Sequence, residues 1–245
     1  LNVATVRLSS WSFPSNYNVF SVETANVVMT FQMIQLYNPA EHGTTDVLLE
    51  GIYAALLANQ TTEYDIYIES GFYNPTQMAN ELTNKFNEAV TNIIVAFFDA
   101  NPEEYAEAKA LFTEYNRFQI EYNSVSQNLW FGNTADQFIL TNSSNTIGNN
   151  MPSCNRRNYL PQYANWGLPA YLGFNRCDVT ALTAAEYLSE TPENNAFISS
   201  LNVPRFYYVG PDDPNGNDGY WLLPSAPGAT VYFLRAPYKI RFMGQ

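Results

Sequence analysis

The sequence of 245 residues contains few side chains that ligate metals or attack substrates: two cysteines, Cys154 and Cys177, and one histidine, His42. Even with His42, the two cysteines make a poor zinc site, because such a site needs three or four ligands of this kind at suitable spacing. We expect two free thiols, and a disulfide is the alternative that the sequence leaves open. His42 lies in a turn-like segment, 39–43, and no Gly-x-Ser-x-Gly motif occurs, so acyl-transfer catalysis is not predicted.

Basic residues are also scarce. The chain has 11 Lys+Arg against 23 Asp+Glu, and its formal net charge is −12. This balance disfavours binding to nucleic-acid phosphates, and the one basic doublet, Arg156-Arg157, is too small a patch for it. The apolar runs are too short for a membrane span. Residues 1–122 hold 15 of the acids and four of the bases, so the acidity belongs to the first half of the chain.

The acidic residues form no recognisable catalytic pair. A glycosidase needs two carboxylates across a cleft. The candidates beside predicted strands are Glu69, Glu121 and Asp136, and their spacing selects no pair. The adjacent Glu103 and Glu104 fit the first turn of a helix, where the helix dipole favours acids. The carboxylates therefore do not predict a hydrolase.

One loop has the composition of a calcium site. Residues 212–219 are rich in Asp, Asn and Gly, but Asp218 and Pro224 stand where a calcium loop has Gly and Glu. A hairpin loop is the better interpretation. We expect no catalytic, cofactor-binding or metal-binding residues in this chain, and a protein that is not an enzyme.

Apolar and aromatic residues are abundant, at 46% and 16% of the chain, together with 29 asparagines. Short segments in which apolar and polar residues alternate predict half-buried strands, and the Gly, Pro and Asn between them favour turns. Many short strands without strand–helix alternation favour an antiparallel sandwich. The predicted strands are 27–33, 65–69, 118–122, 129–131, 138–140, 205–209, 220–223, 230–234 and 238–242.

Two helices are predicted between these strands. Asn74 and Pro75 form a helix start, and apolar residues at steps of three and four predict an amphipathic helix from Pro75 to about Phe98. Asn101-Pro102 repeats the start signal, and an apolar stripe follows it as far as Tyr115. We predict a helical hairpin, about residues 75–115, inserted between strands.

Four other segments complete the predicted fold. Residues 47–57 suit a buried strand or a short helix equally, and residues 183–188 favour a short helix. Residues 142–163 form a long polar loop, which we expect to be exposed, and residues 165–174 are expected to be irregular chain packed on the core. The fold class is therefore mainly β: an antiparallel jelly-roll β-sandwich forming a single domain over residues 1–245.

Three parts of the chain resemble a known family. Residues 66–82 look like a strand, a Gly-x-Tyr turn and a helix; residues 168–174 contain a Leu-Gly-Phe element; residues 206–224 and 236–240 look like C-terminal strands. The order and spacing of these motifs are similar to those of jelly-roll minor capsid and penton-like proteins of large icosahedral DNA viruses.

The resemblance implies a structural role, that of a minor capsid protein bridging or cementing major capsid capsomers. It implies the major capsid protein and other minor capsid proteins as partners in a large symmetric particle, with no direct nucleic-acid contact and no cofactor. The expected location is the virion, after assembly in the host cytoplasm. A position close to an internal membrane, without a transmembrane span, is compatible with it. The alternatives are a penton protein at the fivefold vertex and a lectin-like carbohydrate-binding module.

Overall fold

The computed structural model describes residues 19–124, 127–149, 167–183, 230 and 232–236. Within these ranges the strands are β1 Val28–Gln35, β2 Tyr64–Tyr67, β3 Phe118–Asn123, β4 Asn128–Asn133, β5 Gln137–Leu140, β6 Val179–Thr180, β7 Leu182–Thr183 and β8 Tyr232–Arg235. They form two four-stranded sheets, in the orders β2-β1-β5-β6 and β3-β4-β8-β7. Every pairing is antiparallel, as the sequence predicts.

The helices lie between and around these strands. They are α1 Val47–Ala58, α2 Pro75–Ala100, α3 Ala106–Leu111, α4 Asn145–Asn149 and α5 Leu168–Tyr171, with a 3-10 turn at Pro39–His42. Helix α2 begins where predicted. The Asn74 side chain accepts a hydrogen bond from the Gln77 N–H, and the Gln77 side chain accepts one from the Asn74 N–H. This reciprocal cap satisfies two donors that the first turn would otherwise leave free.

A cluster of phenylalanine rings forms the core between the two sheets. Phe31 of β1 stacks on Phe86 of α2, with ring centroids 4.5 Å apart, and meets Phe118 of β3 edge-on at 5.2 Å. Phe118 in turn meets Phe138 of β5 at 5.1 Å, and Phe86 meets Phe131 of β4 at 5.9 Å. Because strands of both sheets and α2 contribute rings, the helix is part of the same core as the sandwich.

Helix α2 also covers the outer edge of β3 with three polar side chains, Thr83, Asn87 and Thr91, which we call the α2 ladder. Asn87 accepts a hydrogen bond from the Phe118 N–H at 3.0 Å and donates one to the Phe118 carbonyl at 2.9 Å. Thr83 Oγ1 accepts from the Ile120 N–H, and Thr91 Oγ1 from the Tyr115 N–H, both at 2.9 Å. Residues four apart share one face of a helix, so the ladder bonds to β3 and to the residues leading into it where a neighbouring strand otherwise would.

The second predicted helix is present but shorter. It starts at Ala106 instead of near Pro102 because Asn101 serves the preceding helix, donating from its side chain to the Phe97 carbonyl at 2.9 Å. It packs against α1 at Gly51, where an added Cβ would lie 2.7 Å from the Cβ of Ala108. Both helices lie between β2 and β3 in the chain, as predicted, and both pack on other elements: α2 belongs to the core, and α3 also contacts α1.

Residues 47–57, which suited a strand or a helix equally, are helical and form most of α1. Asp46 caps this helix, since one carboxylate oxygen accepts hydrogen bonds from the N–H groups of Leu48 and Leu49 at 2.9 and 3.1 Å. The cap decides between the two interpretations, because it stabilises only the helical one.

The expectation of an exposed loop over 142–163 is only partly right for the described part. Ser143 and Asn145 are exposed, but Asn142 is fully buried and residues 145–149 form α4. Two polar side chains at the start of this segment bond to protein groups: Thr141 Oγ1 donates to Thr30 of β1 at 2.7 Å, and Ser144 Oγ donates to Glu63. Residues 150–163 lie outside the described ranges.

The remaining predictions have mixed outcomes. Residues 168–174 pack on the core as expected, although one turn of them is helical, α5. Thr183 lies in β7 and not in a helix, and residues 184–188 are outside the described ranges. The strand predicted at 230–234 corresponds to β8. The strands predicted at 205–209, 220–223 and 238–242 also fall outside.

Candidate functional site

The most polar buried feature is an ion pair between Arg117 and Asp136. Arg117 precedes β3, and Asp136 lies in the turn from β4 to β5. The Arg117 guanidinium lies 2.7 Å from Asp136 Oδ2, and the two side chains are only 4% and 1% exposed. A buried charge requires both a counter-charge and hydrogen bonds, so the surroundings of this pair decide its role.

Neighbouring groups occupy the rest of the Asp136 carboxylate. The backbone N–H of Tyr37 donates to Oδ1 at 2.8 Å, and the Tyr115 hydroxyl donates to Oδ2 at 2.8 Å. Asn133 donates to the Tyr115 hydroxyl at 2.8 Å and accepts from the Asp136 N–H at 2.8 Å. We call this set the Asp136 network. It connects the chain after β1, the start of β3 and the β4–β5 turn.

Burial and charge set the protonation of this network. Burial, the largest single effect, would lower the pKa of Arg117, but the charge and hydrogen bond of Asp136, together with Tyr115 and Tyr37, outweigh burial and raise it. Burial, and then the charge of Asp136, holds the pKa of the Tyr115 hydroxyl well above its ordinary value. The network therefore keeps Arg117 charged and Tyr115 protonated over the whole physiological pH range. With both Asp136 oxygens occupied and no access from solvent, the arrangement suits a structural connection, not proton transfer to a substrate.

A groove of about 450 Å³, which we call the α2 groove, lies between α2 and residues 113–116. Asn87, Thr91 and Tyr115 form part of its wall, and their hydrogen bonds to other groups are already made. Five exposed polar residues complete the lining: Asn84, Glu88, Thr113, Glu114 and Asn116. The groove thus has a wall fixed by the α2 ladder and a rim rich in hydrogen-bond acceptors.

The carboxylates considered as a catalytic pair are in different environments. Asp136 is buried in its network, Glu121 is half-buried within β3, and Glu69 is exposed after β2, where its carbonyl accepts a hydrogen bond from Tyr73. Glu103 and Glu104 lie in the exposed turn after α2. The structure does not assemble a carboxylate pair from them.

The other positions considered in the sequence carry no site where the structure describes them. His42 is exposed and stacks on Tyr37 with ring centroids 4.9 Å apart. Cys177 is an exposed free thiol, and Cys154 lies outside the described ranges, as do Arg156-Arg157 and residues 212–219. Among the residues described, no group of three or more His, Cys, Asp or Glu is arranged to hold a metal ion. No helix in these ranges has the length and apolar character needed to cross a membrane.

Sequence reasoning missed both the Asp136 network and the α2 ladder. Thr83, Asn87 and Thr91 do carry a signal, since polar residues four apart run beside the apolar stripe of α2. Arg117 and Asp136 carry none, because nothing local relates two residues 19 positions apart.

Comparisons with protein-family models, with curated proteins and with solved structures found no match to this chain.

Proposed function

We propose that this protein is a structural capsid component, a minor capsid protein of jelly-roll type that bridges or cements major capsid capsomers in a large icosahedral virion. Its partners in this proposal are the major capsid protein and other minor capsid proteins, and assembly takes place in the host cytoplasm. The observation that carries the proposal is the pair of antiparallel sheets around one aromatic core, to which residues of two of the resembling segments, 66–82 and 168–174, contribute.

Two of those motifs support the proposal through their positions. The strand, Gly-x-Tyr turn and helix occur as β2, residues 68–74 and α2. Gly71 bonds through its backbone to Phe20 in both directions, at 3.0 and 2.8 Å. In the Leu-Gly-Phe element, the Phe174 ring meets Phe131 of β4 at 5.6 Å. Both motifs thus join separate parts of the sandwich.

The surface also suits a component surrounded by other proteins. Val22, Phe72 and Leu111 are 70%, 62% and 55% exposed, which leaves large apolar side chains for contacts with neighbours. The buried centre of a protein interface is richer in apolar and aromatic side chains than the rest of the surface. A rigid core beneath them limits the conformational entropy lost on assembly.

Mass spectrometry and imaging of purified particles test this proposal. We expect peptides of this chain in intact particles at a fixed ratio to the major capsid protein, and density for the chain between or beneath capsomers. Five copies around an axis would assign the penton role instead. A purified chain that stays monomeric and is missing from particles would rule out both capsid roles.

The lectin-like alternative has no supporting observation among the described residues. A sugar-binding groove needs an aromatic ring on which the sugar stacks, and the ring in the α2 groove, Tyr115, is only 1% exposed. We therefore do not propose a carbohydrate-binding function.

A further inference from the structure

Helix α1 has the composition of a buried helix, yet one side of it is exposed. It has a single charged residue, Glu50, and apolar residues all round. A helix of this composition is normally surrounded by protein, because an exposed helix carries polar residues on its outer side. Here the inner side is buried, whereas Val47 and Leu57 are 41% and 47% exposed. The outer side of α1 therefore suits burial against another surface.

The outer residues of α1 form one stripe. Val47, Glu50, Ala54 and Leu57 follow one another at steps of three and four, so they share one side of the helix. Ala54 is half-buried and the other three are exposed. From its first to its last residue the stripe is about 15 Å long, which is nearly three helical turns. A surface of this length matches a short helix laid along it.

Helix α3 widens this stripe. It packs against α1 where Ala108 meets Gly51, and an added Cβ at Gly51 would lie 2.7 Å from the Cβ of Ala108. Leu111, three residues after Ala108, is 55% exposed. Val47 is four residues before Gly51, so Leu111 and Val47 both lie within about one turn of this contact. We call the outer side of the two helices the α1–α3 face, formed by Val47, Glu50, Ala54, Leu57, Glu107 and Leu111.

Two carboxylates interrupt the apolar part of this face. Glu50 lies between Val47 and Ala54, and Glu107 is four residues before Leu111 on the same side of α3. Both are exposed, and neither has a basic partner among the described residues. A partner that covers the apolar side chains also removes these carboxylates from water. Only a basic group on the covering surface offsets that cost.

A second copy of this chain does not supply such a group. Lys109 is the single base of α1 and α3, and it already bonds to Asp99 of α2 at 2.6 Å. Two copies joined through the α1–α3 face would bury carboxylates of both without a counter-charge, and each chain has a net charge of −12. An extended strand does not fit either, because helices use their own backbone hydrogen bonds. An amphipathic helix fits, since its apolar stripe needs only side-chain contacts.

We propose that the α1–α3 face binds an amphipathic helix of a neighbouring protein, with an apolar stripe that covers Val47, Leu57 and Leu111. Lysine or arginine side chains beside that stripe pair with Glu50 and Glu107. The apolar composition of α1 selects a packed helix as the occupant, and charge complementarity selects its basic flanks. The inference rests on the proposed assembly role and names the chemistry of one contact within it.

Binding of three designed peptides to the full chain tests the proposal. The first is an eighteen-residue helical peptide with Leu at steps of three and four and Lys beside that stripe. The second has the same residues in scrambled order, and the third has Glu in place of Lys. Fluorescence anisotropy should show saturable one-to-one binding of the first peptide and at least about tenfold weaker binding of the others. No binding of the first peptide, or equal binding of either other peptide, overturns the proposal.

Variants at exposed apolar positions locate the site. Leu57→Gln with Leu111→Gln should weaken binding of the first peptide by about tenfold or more, because each change removes an apolar contact. Val22→Gln with Phe72→Gln changes exposed apolar residues outside the two helices and should weaken binding less than about twofold. Far-UV circular dichroism checks that each variant is folded. Equal losses in the two pairs, or unchanged binding by the leucine variant, overturn the site.

A second set of variants tests the charges. Glu50→Gln with Glu107→Gln should remove about tenfold of the preference for the Lys peptide over the Glu peptide, whereas Glu23→Gln with Glu69→Gln, an equal charge change at exposed positions elsewhere, should remove less than about twofold. Equal effects would mean a general attraction of opposite charges and overturn the pairing. In sedimentation of the chain alone, a dimer that the leucine variant dissociates would assign the face to a second copy and overturn the proposal. Particle composition is measured separately, so a failure here leaves the capsid proposal standing.

Discussion

The pair formed by Arg117 and Asp136 illustrates why a buried charge is weak support for stability but strong support for a fixed arrangement. Removing two ions from water costs several kcal/mol for each ion, and their attraction offsets this only when the remaining hydrogen-bonding capacity is satisfied. Here Tyr115 and the Tyr37 N–H complete the bonding of the carboxylate. The pair therefore contributes little net free energy, yet it fixes how β3 and the β4–β5 turn meet.

Removing one partner of this pair should be far more costly than removing an exposed one. Asp136→Asn leaves the Arg117 charge buried without a counter-charge, and we expect the free energy of unfolding to fall by about 3–5 kcal/mol. Asp99→Asn, at the exposed pair with Lys109, should cost less than about 1 kcal/mol. Urea denaturation of both variants measures the difference. Similar losses in the two variants would show that burial does not set the cost.

The sequence offered Asp136, with Glu69 and Glu121, as a candidate to line a cleft, and their spacing selected no pair. The structure buries it instead, because Arg117 and Tyr115 are brought to it by the pairing of β3 with β4. A residue's partner across a sheet depends on register, and register depends on contacts far along the chain. The identity of this carboxylate was visible in the sequence, and its surroundings were not.

Helix α2 protects an edge strand with side chains, where many proteins use charge, proline or a bulge. Its ladder satisfies the outward N–H groups of Phe118 and Ile120, which would otherwise meet water or another chain. The same helix face ends at the α2 groove, so two residues of the ladder, Asn87 and Thr91, also line that groove.

Asn87→Ala tests the ladder. The change leaves the Phe118 N–H and carbonyl without partners, and we expect a loss of about 1–3 kcal/mol in the free energy of unfolding. Asn92→Ala is the matched control, because Asn92 is exposed on the same helix. The replacement of Asn by Ala raises the helix propensity by the same amount at both positions. Chemical denaturation should leave Asn92→Ala within about 0.5 kcal/mol of the parent protein. A loss in the control as large as that in Asn87→Ala would contradict the assigned role.

Gly51 allows α1 and α3 to approach closely. In Gly51→Ala the new methyl group would lie 2.7 Å from the Cβ of Ala108, which has no flexible end that could move away. The helices must separate, and we expect a loss of about 1–3 kcal/mol, only partly offset by the better helix propensity of Ala. Adding Ala108→Gly should restore part of the thermal stability. A double variant less stable than Gly51→Ala would point to another cause.

How well each element could be predicted from the sequence depended on how local its signal is. Asn74 and Pro75 predict the start of α2, and the regular spacing of apolar residues predicts its buried face. Helix α1 was ambiguous because its apolar residues have no clear face, and the Asp46 cap was the deciding signal that periodicity does not contain. The order of strands in the sheets had no local signal, since β1 pairs with β5 about 100 residues later.

Across the entire protein, the high aromatic content makes stability sensitive to alkaline pH. Burial, and then the charge of Asp136, raises the pKa of Tyr64 to about 12. Burial also raises the pKa of Tyr115. A folded pKa above the unfolded value contributes stability that is complete below about pH 10 and is lost as pH rises through the folded pKa. For Tyr64 alone, the shift corresponds to about 2–3 kcal/mol.

We therefore expect unfolding between about pH 10 and pH 12, measured by tyrosinate absorbance together with far-UV circular dichroism. Tyr64→Phe should unfold at higher pH than the parent protein. At neutral pH it should be at least as stable, because the buried Tyr64 hydroxyl has no hydrogen-bond partner among the described residues. An unchanged alkaline transition in Tyr64→Phe would assign the sensitivity to other groups.

The strand order of the second sheet has a consequence for the chain as it is synthesised. Strands β3 and β4 are neighbours in sequence and can pair within microseconds. Phe131 of β4 pairs with Leu234 of β8, about 100 residues later in the chain. A ribosome needs roughly 5–20 s to synthesise that length. By then α2, made before β3, already covers one side of the hairpin. The nascent protein is therefore an open-edged sheet with one protected side, and β4 is the strand at which two unfinished copies would first associate.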